Sequence, residues 1–163
     1  MVTRYRLKEL LYYHPESGDF IRLEKTGNQV RAGTQAGCIN GHGYIDIRID
    51  GRVYKAHRLA FLYMTGEFPP NDADHRNTVK HDNCWGNLRP ATDGQNKYNQ
   101  GLRVDNSTGF KLIGWNKISG TFRVQSRING VLRHFGYYKK LDDAIEAAAQ
   151  VMLTFHSDFA RAA

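Results

Sequence analysis

The densest chemistry in the chain lies in DADHRNTVKHDNCWGNLRPATDGQN, residues 72–96. The stretch holds Asp74-His75, His81-Asp82, Cys84 and four asparagines, with almost nothing apolar. Imidazole exchanges a proton near neutral pH, and carboxylate and amide oxygens are ligands for hard cations. Three readings are open: a polar surface loop, a zinc site, or the centre of an enzyme. Zinc would draw on His75, His81 and Cys84. However, His-x5-His-x2-Cys lacks the paired CxxC or HxxxH knuckles of structural zinc sites, and no fourth ligand is evident. A plain polar loop leaves the order of the flanking residues without a reason.

That order implies elements. Asp72 to His75 can form a short strand, and Asn87-Leu88-Arg89 the returning one, with Leu88 facing the core. Thr92-Asp93-Gly94-Gln95 is a helix start of the Thr-x-x-Gln capping-box type, which puts Asn96 in the first helical turn. Strand, loop, strand and helix then carry Asp74 and His75 on one arm and Asn96 on the other. A carboxylate and an amide oxygen so placed can hold one hard divalent cation with positions left for phosphate and water. Just upstream, HRLAFLYMTGEFPP predicts a helix: Leu59, Leu62 and Tyr63 share helical spacing, Gly66 can cap the end, and Pro69-Pro70 forbid continuation.

Asp74-His75, Asn87-Leu88-Arg89 and Gln95-Asn96, preceded by AHRLAFLYMTG, resemble the HNH (ββα-metal) endonucleases of phages and mobile introns, nearest their asparagine-ending HNN variant. SGDFIRL and GYIDIRIDGRVYKAHRLAF are similar to the N-terminal part of such enzymes, so the resemblance covers roughly residues 8–100. It implies His75 as the general base, and Asp74 and Asn96 as ligands of a metal that stabilises the pentacovalent phosphate and the departing 3′ oxygen. It also implies that Asn87 fixes the loop and the orientation of His75. Many relatives end in histidine where this chain has Asn96. A neutral amide is the weaker ligand, so Mg2+ or Mn2+ is expected rather than tight zinc. His57 reads as a structural residue orienting its helix, and the roles of His81 and Asp82 stay open. Arg89 can meet a phosphate or lock the hairpin.

Around this site the chain reads as short strands. Alternation predicts that Ile45, Ile47 and Ile49 face the core while Tyr44, Asp46 and Arg48 face out, and Asp50-Gly51 gives a hairpin signal before Arg52-Val53-Tyr54. Leu7, Leu10 and Leu11 suggest a short N-terminal helix. The hydrophobic fraction of 40% suffices for a core, no run of about 18 apolar residues could span a membrane, and MVTRYRLKELLYYH lacks the apolar centre of a signal peptide. Isolated Cys38 and Cys84 suit a reducing setting. The location expected is cytoplasmic, in a bacterial host or phage-infected cell.

The formal charge is +7, and from Gly101 to Lys140 eight Lys/Arg face one acid, Asp105. Such a block points to a polyanion, most simply nucleic acid. GFKLIGWNK, GTFRVQSRING and VLRHFGYYK read as three antiparallel strands, joined at Ser119-Gly120 and Asn129-Gly130, after a polar linker over 99–108 that includes Arg103. LDDAIEAAAQVMLTFH follows as a helix with an apolar stripe of Ile145, Ala148, Met152 and Phe155. Alternation in TFRVQSRI puts Arg123, Gln125 and Arg127 on one face, which Lys111, Trp115 and Arg133 could widen, although Trp115 can equally be core. Residues 107–160, through the terminal FHSDFA, resemble the plant ethylene-response (APETALA-like) DNA-binding domain. That resemblance implies a sheet lying in the major groove.

The fold class expected is α+β: a ββα-metal nuclease module preceded by a small β-rich region and followed by a three-stranded antiparallel sheet packed on one helix. Residues 1–100 would form the HNH endonuclease region, with its ββα core at about 57–100, and residues 101–163 the ethylene-response-type domain. The function expected is a metal-dependent DNA endonuclease, nicking or cutting both strands of double-stranded DNA as a monomer or homodimer. The rival is a non-catalytic DNA-binding regulator with a degenerate nuclease half. An RNA-binding module lacks support from any aromatic RNP-like strand.

Overall fold

The computed structural model describes residues 1–25, 31–99, 101–102, 104–128 and 130–156. Arg103, Asn129 and the 157–160 part of FHSDFA therefore lie outside the described residues. The chain divides into two compact units, Met1–Thr92 and Asp93–Ala163.

In the first unit, helix α1 (Arg4–Leu10) starts at Thr3, whose hydroxyl accepts from the Arg6 amide. Leu11 does not continue the helix: its φ of −136° and ψ of 137° are extended, and it opens β1 (Leu11–Tyr13), which pairs antiparallel with β2 (Phe20–Arg22). Strands β3 (Cys38–Ile39), β4 (Ile45–Ile49) and β5 (Arg52–Lys55) form a second small sheet in that order. Asp50 and Gly51 at its hairpin have φ of 46° and 78°, the double positive φ that an Asp-Gly pair tolerates. Helix α2 (Ala56–Thr65) ends at Gly66 in the left-handed conformation, φ 93°, which satisfies the carbonyl of Leu62. Then come β6 (Asp72–His75), a 3-10 turn at Trp85–Asn87, and β7 (Leu88–Ala91) paired antiparallel with β6.

Leu7, Leu11, Tyr13, Phe20, Ile47, Leu59, Leu62 and Leu88 share one core, so α1, α2 and the two other small sheets converge on the hairpin that carries Asp74 and His75. Each fully buried leucine is worth about 2–5 kcal/mol against alanine.

The second unit starts with helix α3 (Asp93–Asn99), which holds Asn96. Strands β8 (Ile113–Asn116), β9 (Thr121–Ile128) and β10 (Val131–Tyr138) make an antiparallel sheet with β9 central, and α4 (Leu141–His156) packs on it. Of the expected stripe Ile145, Ala148, Met152 and Phe155, Ala148 is buried and Ile145 packs partly buried against the same core, while Ala144 and Val151 complete the buried face of α4. Small alanines let the helix sit close over Ile113 and Val124, and Phe155, 44% exposed, lies against Phe135 at the rim. Ser126 meets His156 Nε2 at 2.9 Å in the interior, fastening the end of α4 to the central strand. No helix among the described residues is long and apolar enough to cross a membrane.

Candidate active site

Antiparallel register sets Asp74 opposite Arg89 and His75 opposite Leu88. Arg89 Nε and Nη2 both reach Asp74 Oδ2, at 2.8 and 2.7 Å, with both side chains buried. Arg89, a candidate DNA contact from the sequence, therefore sits in the interior as the brace of the Asp74 carboxylate.

His75 is 4% exposed, and its Nε2 faces Asn83 Oδ1 at 3.2 Å. The Asn83 amide is turned by its own Nδ2, which donates to the His81 carbonyl at 3.2 Å. Its oxygen must then accept, so the His75 proton resides on Nε2 and Nδ1 is the basic nitrogen. Burial pulls the His75 pKa below the ordinary histidine value, while Asn83 and the carboxylates of Asp74, Asp82 and Asp72 pull the other way. The imidazole is neutral at pH 7 and competent to accept a proton.

Asn87 braces the loop that carries Asn83. Its Oδ1 accepts from the Asn77 amide at 3.0 Å, and its Nδ2 donates to Asn77 Oδ1 and to the Asp82 carbonyl at 3.0 and 2.8 Å. The Asn87 carbonyl also receives the Arg76 amide at 2.9 Å, closing the loop across the hairpin mouth. Asn87 thus fixes the loop, and the side chain that faces the His75 ring is Asn83. From outside the loop, Tyr13 Oη donates to the Asn83 carbonyl at 2.7 Å and the Trp85 amide to the Pro15 carbonyl at 2.8 Å. Gly18, at φ 78°, packs so tightly that an added Cβ would lie 2.3 Å from the Asn83 carbonyl carbon.

His57, in the first turn of α2, lies edge-on to His75 with ring centroids 5.1 Å apart, and Tyr44 tilts against both. Burial, and then the neighbouring His75, push the His57 pKa down to about 3, and its Nδ1 has no hydrogen-bond partner. Tyr44, outward by strand alternation and placed just before β4, and His57, a structural residue in the sequence reading, both pack against the His75 ring. Asn83 had no signal beyond the local density of asparagines. Cys84 is hydrogen-bonded to Asp82, which with burial raises its thiol pKa to about 11. It stays protonated at neutral pH, unlike a thiolate ligand.

Among the described residues, no group of three or more His, Cys, Asp and Glu is arranged to hold a metal. Of the oxygen donors expected from the sequence, Asp74 lies on β6 in the first unit and Asn96 on α3 in the second; carboxylate and amide oxygens are both ligand types of hard cations. Asn96 lies half-buried on α3.

In the second unit, paired residues on neighbouring strands share a face. Val124 and Ser126 are buried toward α4, so Arg123, Gln125 and Arg127 point to the other side, joined by their β10 partners Tyr137, His134 and Leu132. Trp115 pairs with Phe122, its ring 4.7 Å away, and Arg133 pairs with Ser126. By register both lie on the helix side of the sheet and do not extend the arginine row. Lys111 precedes β8, half-buried. The Arg123 guanidinium lies beside Gly114, whose missing side chain leaves it room, with Nη2 3.9 Å from where a Cβ would be.

Residues 54–98 match the family model for an HNH endonuclease, a stretch running from β5 into α3 and containing Asp74, His75, Asn83, Asn87, Arg89 and Asn96. The match supports a nuclease acting on DNA. No curated protein and no solved structure gives a significant match to the chain.

Proposed function

We propose that the chain is a metal-dependent DNA endonuclease in which His75 activates water for attack on a phosphodiester. The observation that carries this reading is the neutral, buried His75, its proton held on Nε2 by Asn83 and its neighbour Asp74 braced by Arg89 inside the HNH-matched segment. His75 Nδ1 takes a proton from water as the water oxygen bonds to phosphorus. The bond from phosphorus to the 3′ oxygen breaks, and that oxygen leaves with a proton from solvent. Asp74 and Asn96 would hold Mg2+ or Mn2+, which when bound neutralises charge building on the phosphate and the departing oxygen. Asn83 holds the tautomer, Asn87 holds the loop, and Tyr44 and His57 exclude water from behind the ring. The arginine row of β9 would bind duplex DNA, in the major groove by the APETALA-like reading.

The test is conversion of supercoiled plasmid to open circle with Mg2+ or Mn2+. Wild type should nick, and His75→Ala should lose roughly 10²–10⁴-fold in rate. Nicking by His75→Ala at the wild-type rate would remove His75 as base. Binding without nicking under either metal would favour a DNA-binding regulator. Asn96→Ala should raise the metal concentration needed for half-maximal nicking.

A further inference from the structure

We propose that the first unit carries a second DNA contact, a cleft between Arg22 and Arg48 that takes backbone phosphates. The inference rests on the reading that the chain acts on DNA. The cleft, about 420 Å³, is lined by Arg22, Gln35, Cys38, Asp46 and Arg48 among others, and Gln35, Cys38 and Arg48 are exposed. Its acid is neutralised from within: Asp46 accepts from Lys55 Nζ at 2.7 Å and from Asn40 Nδ2 at 2.9 Å. Among the described residues, neither Arg22 nor Arg48 forms an ion pair with a carboxylate. Two guanidiniums thus flank an open depression in which the carboxylate is already occupied. That arrangement attracts phosphate and is too open to enclose a small anion.

The backbone holds the two arginines in place. The Arg22 amide donates to the Thr34 carbonyl at 2.9 Å, and Ile21 bridges Gln35; three residues later Cys38 pairs with Asp46 on β4. One strip of chain therefore links the strand of Arg22 to the strand of Arg48. Gly37, φ 103°, makes this possible, because a Cβ there would lie 2.6 and 2.9 Å from the Ile45 and Ile47 side chains. The segment from 20 to 55 holds six Lys/Arg against three acids, and two of those acids, Asp46 and Asp50, are paired with Lys55 and Arg6.

The experiment measures binding of the full chain to a short mixed-sequence duplex in EDTA, across a range of salt concentrations. Arg22→Gln/Arg48→Gln should weaken binding about tenfold and lower the slope of log K against log salt by about 1.8, two phosphates' worth. The melting temperature should be unchanged. Arg22→Lys/Arg48→Lys should keep the slope; if lysine loses it as glutamine does, the loss is not one of charge and the proposal falls. An unchanged slope in the glutamine variant overturns it, as does an equal loss from Arg52→Gln, an exposed arginine outside the cleft. Absence of duplex binding by wild type would overturn it too. Wild type that binds with this arginine dependence yet never nicks would sink the nuclease reading alone.

Discussion

Asn83 decides which nitrogen of His75 can act, so it is the residue through which the proposed base is most sensitively tuned. Asn83→Ala should lower the nicking rate by roughly 10–100-fold while leaving DNA affinity unchanged. Asn83→Asp keeps an acceptor but adds a charge that favours imidazolium, so the acidic limb of its pH–rate profile should move to higher pH. In wild type that limb should lie below the ordinary histidine value, since burial dominates at His75. Arg89 and Asp74 make the second test. Arg89→Ala leaves a carboxylate buried without its partner and should cost about 3–5 kcal/mol in urea unfolding, whereas Asp74→Leu/Arg89→Met should recover most of the stability and none of the nicking. His57 gives a third, read in stability against pH. Its folded pKa of about 3 lies below its unfolded 6.5, so the unfolded chain binds the proton first as pH drops. Stability is therefore complete above 6.5 and is lost between 6.5 and 3, by up to ~1.4 kcal/mol per pH unit for this one group. His57→Gln should flatten that dependence.

At the scale of elements, the ββα hairpin and its preceding helix were legible because their signals are local: apolar spacing in α2, Gly66 before two prolines, a capping-box start at Thr92. The three strands of the second unit were legible for the same reason, through alternation and turn glycines. What surrounds His75 was not, because those contacts join distant segments: Tyr44 from just before β4, His57 from α2, Tyr13 and Pro15 from the first hairpin. Alternation alone labelled Tyr44 outward, since it reports a strand's two faces and not what lies beyond either. The faces of Trp115 and Arg133 depended on register across strands, which no single strand encodes. The first hairpin's grip on the loop that carries Asn83 yields an element-scale test. Gly18→Ala must adopt a left-handed backbone and push its Cβ into the Asn83 backbone, at a cost of about 2–4 kcal/mol. Nicking should fall further than stability explains, measured at a temperature where the variant remains folded.

For the molecule as a whole, charge is distributed with purpose. The excess of the chain resides between residues 101 and 140, and the sheet there displays Arg123 and Arg127 on the face opposite α4. Arg123→Ala/Arg127→Ala should raise the Kd for duplex DNA and lower the salt slope by about 1.8, with the rate at saturating DNA unchanged. Arg133→Ala, on the other face, should change the Kd least. The bond from Tyr13 to Asn83, finally, closes a loop of 70 residues. Such closure is among the late events of folding, because its entropic cost must be met before the contact rewards it. The HNH-matched segment from 54 to 98 omits every one of these tethers, so its boundaries are not those of an autonomous folding unit. In refolding from urea, circular dichroism should return first and nicking afterwards. Tyr13→Phe should lengthen that lag, as expected if the opening residues of the chain act as an intramolecular template for the loop that carries Asn83.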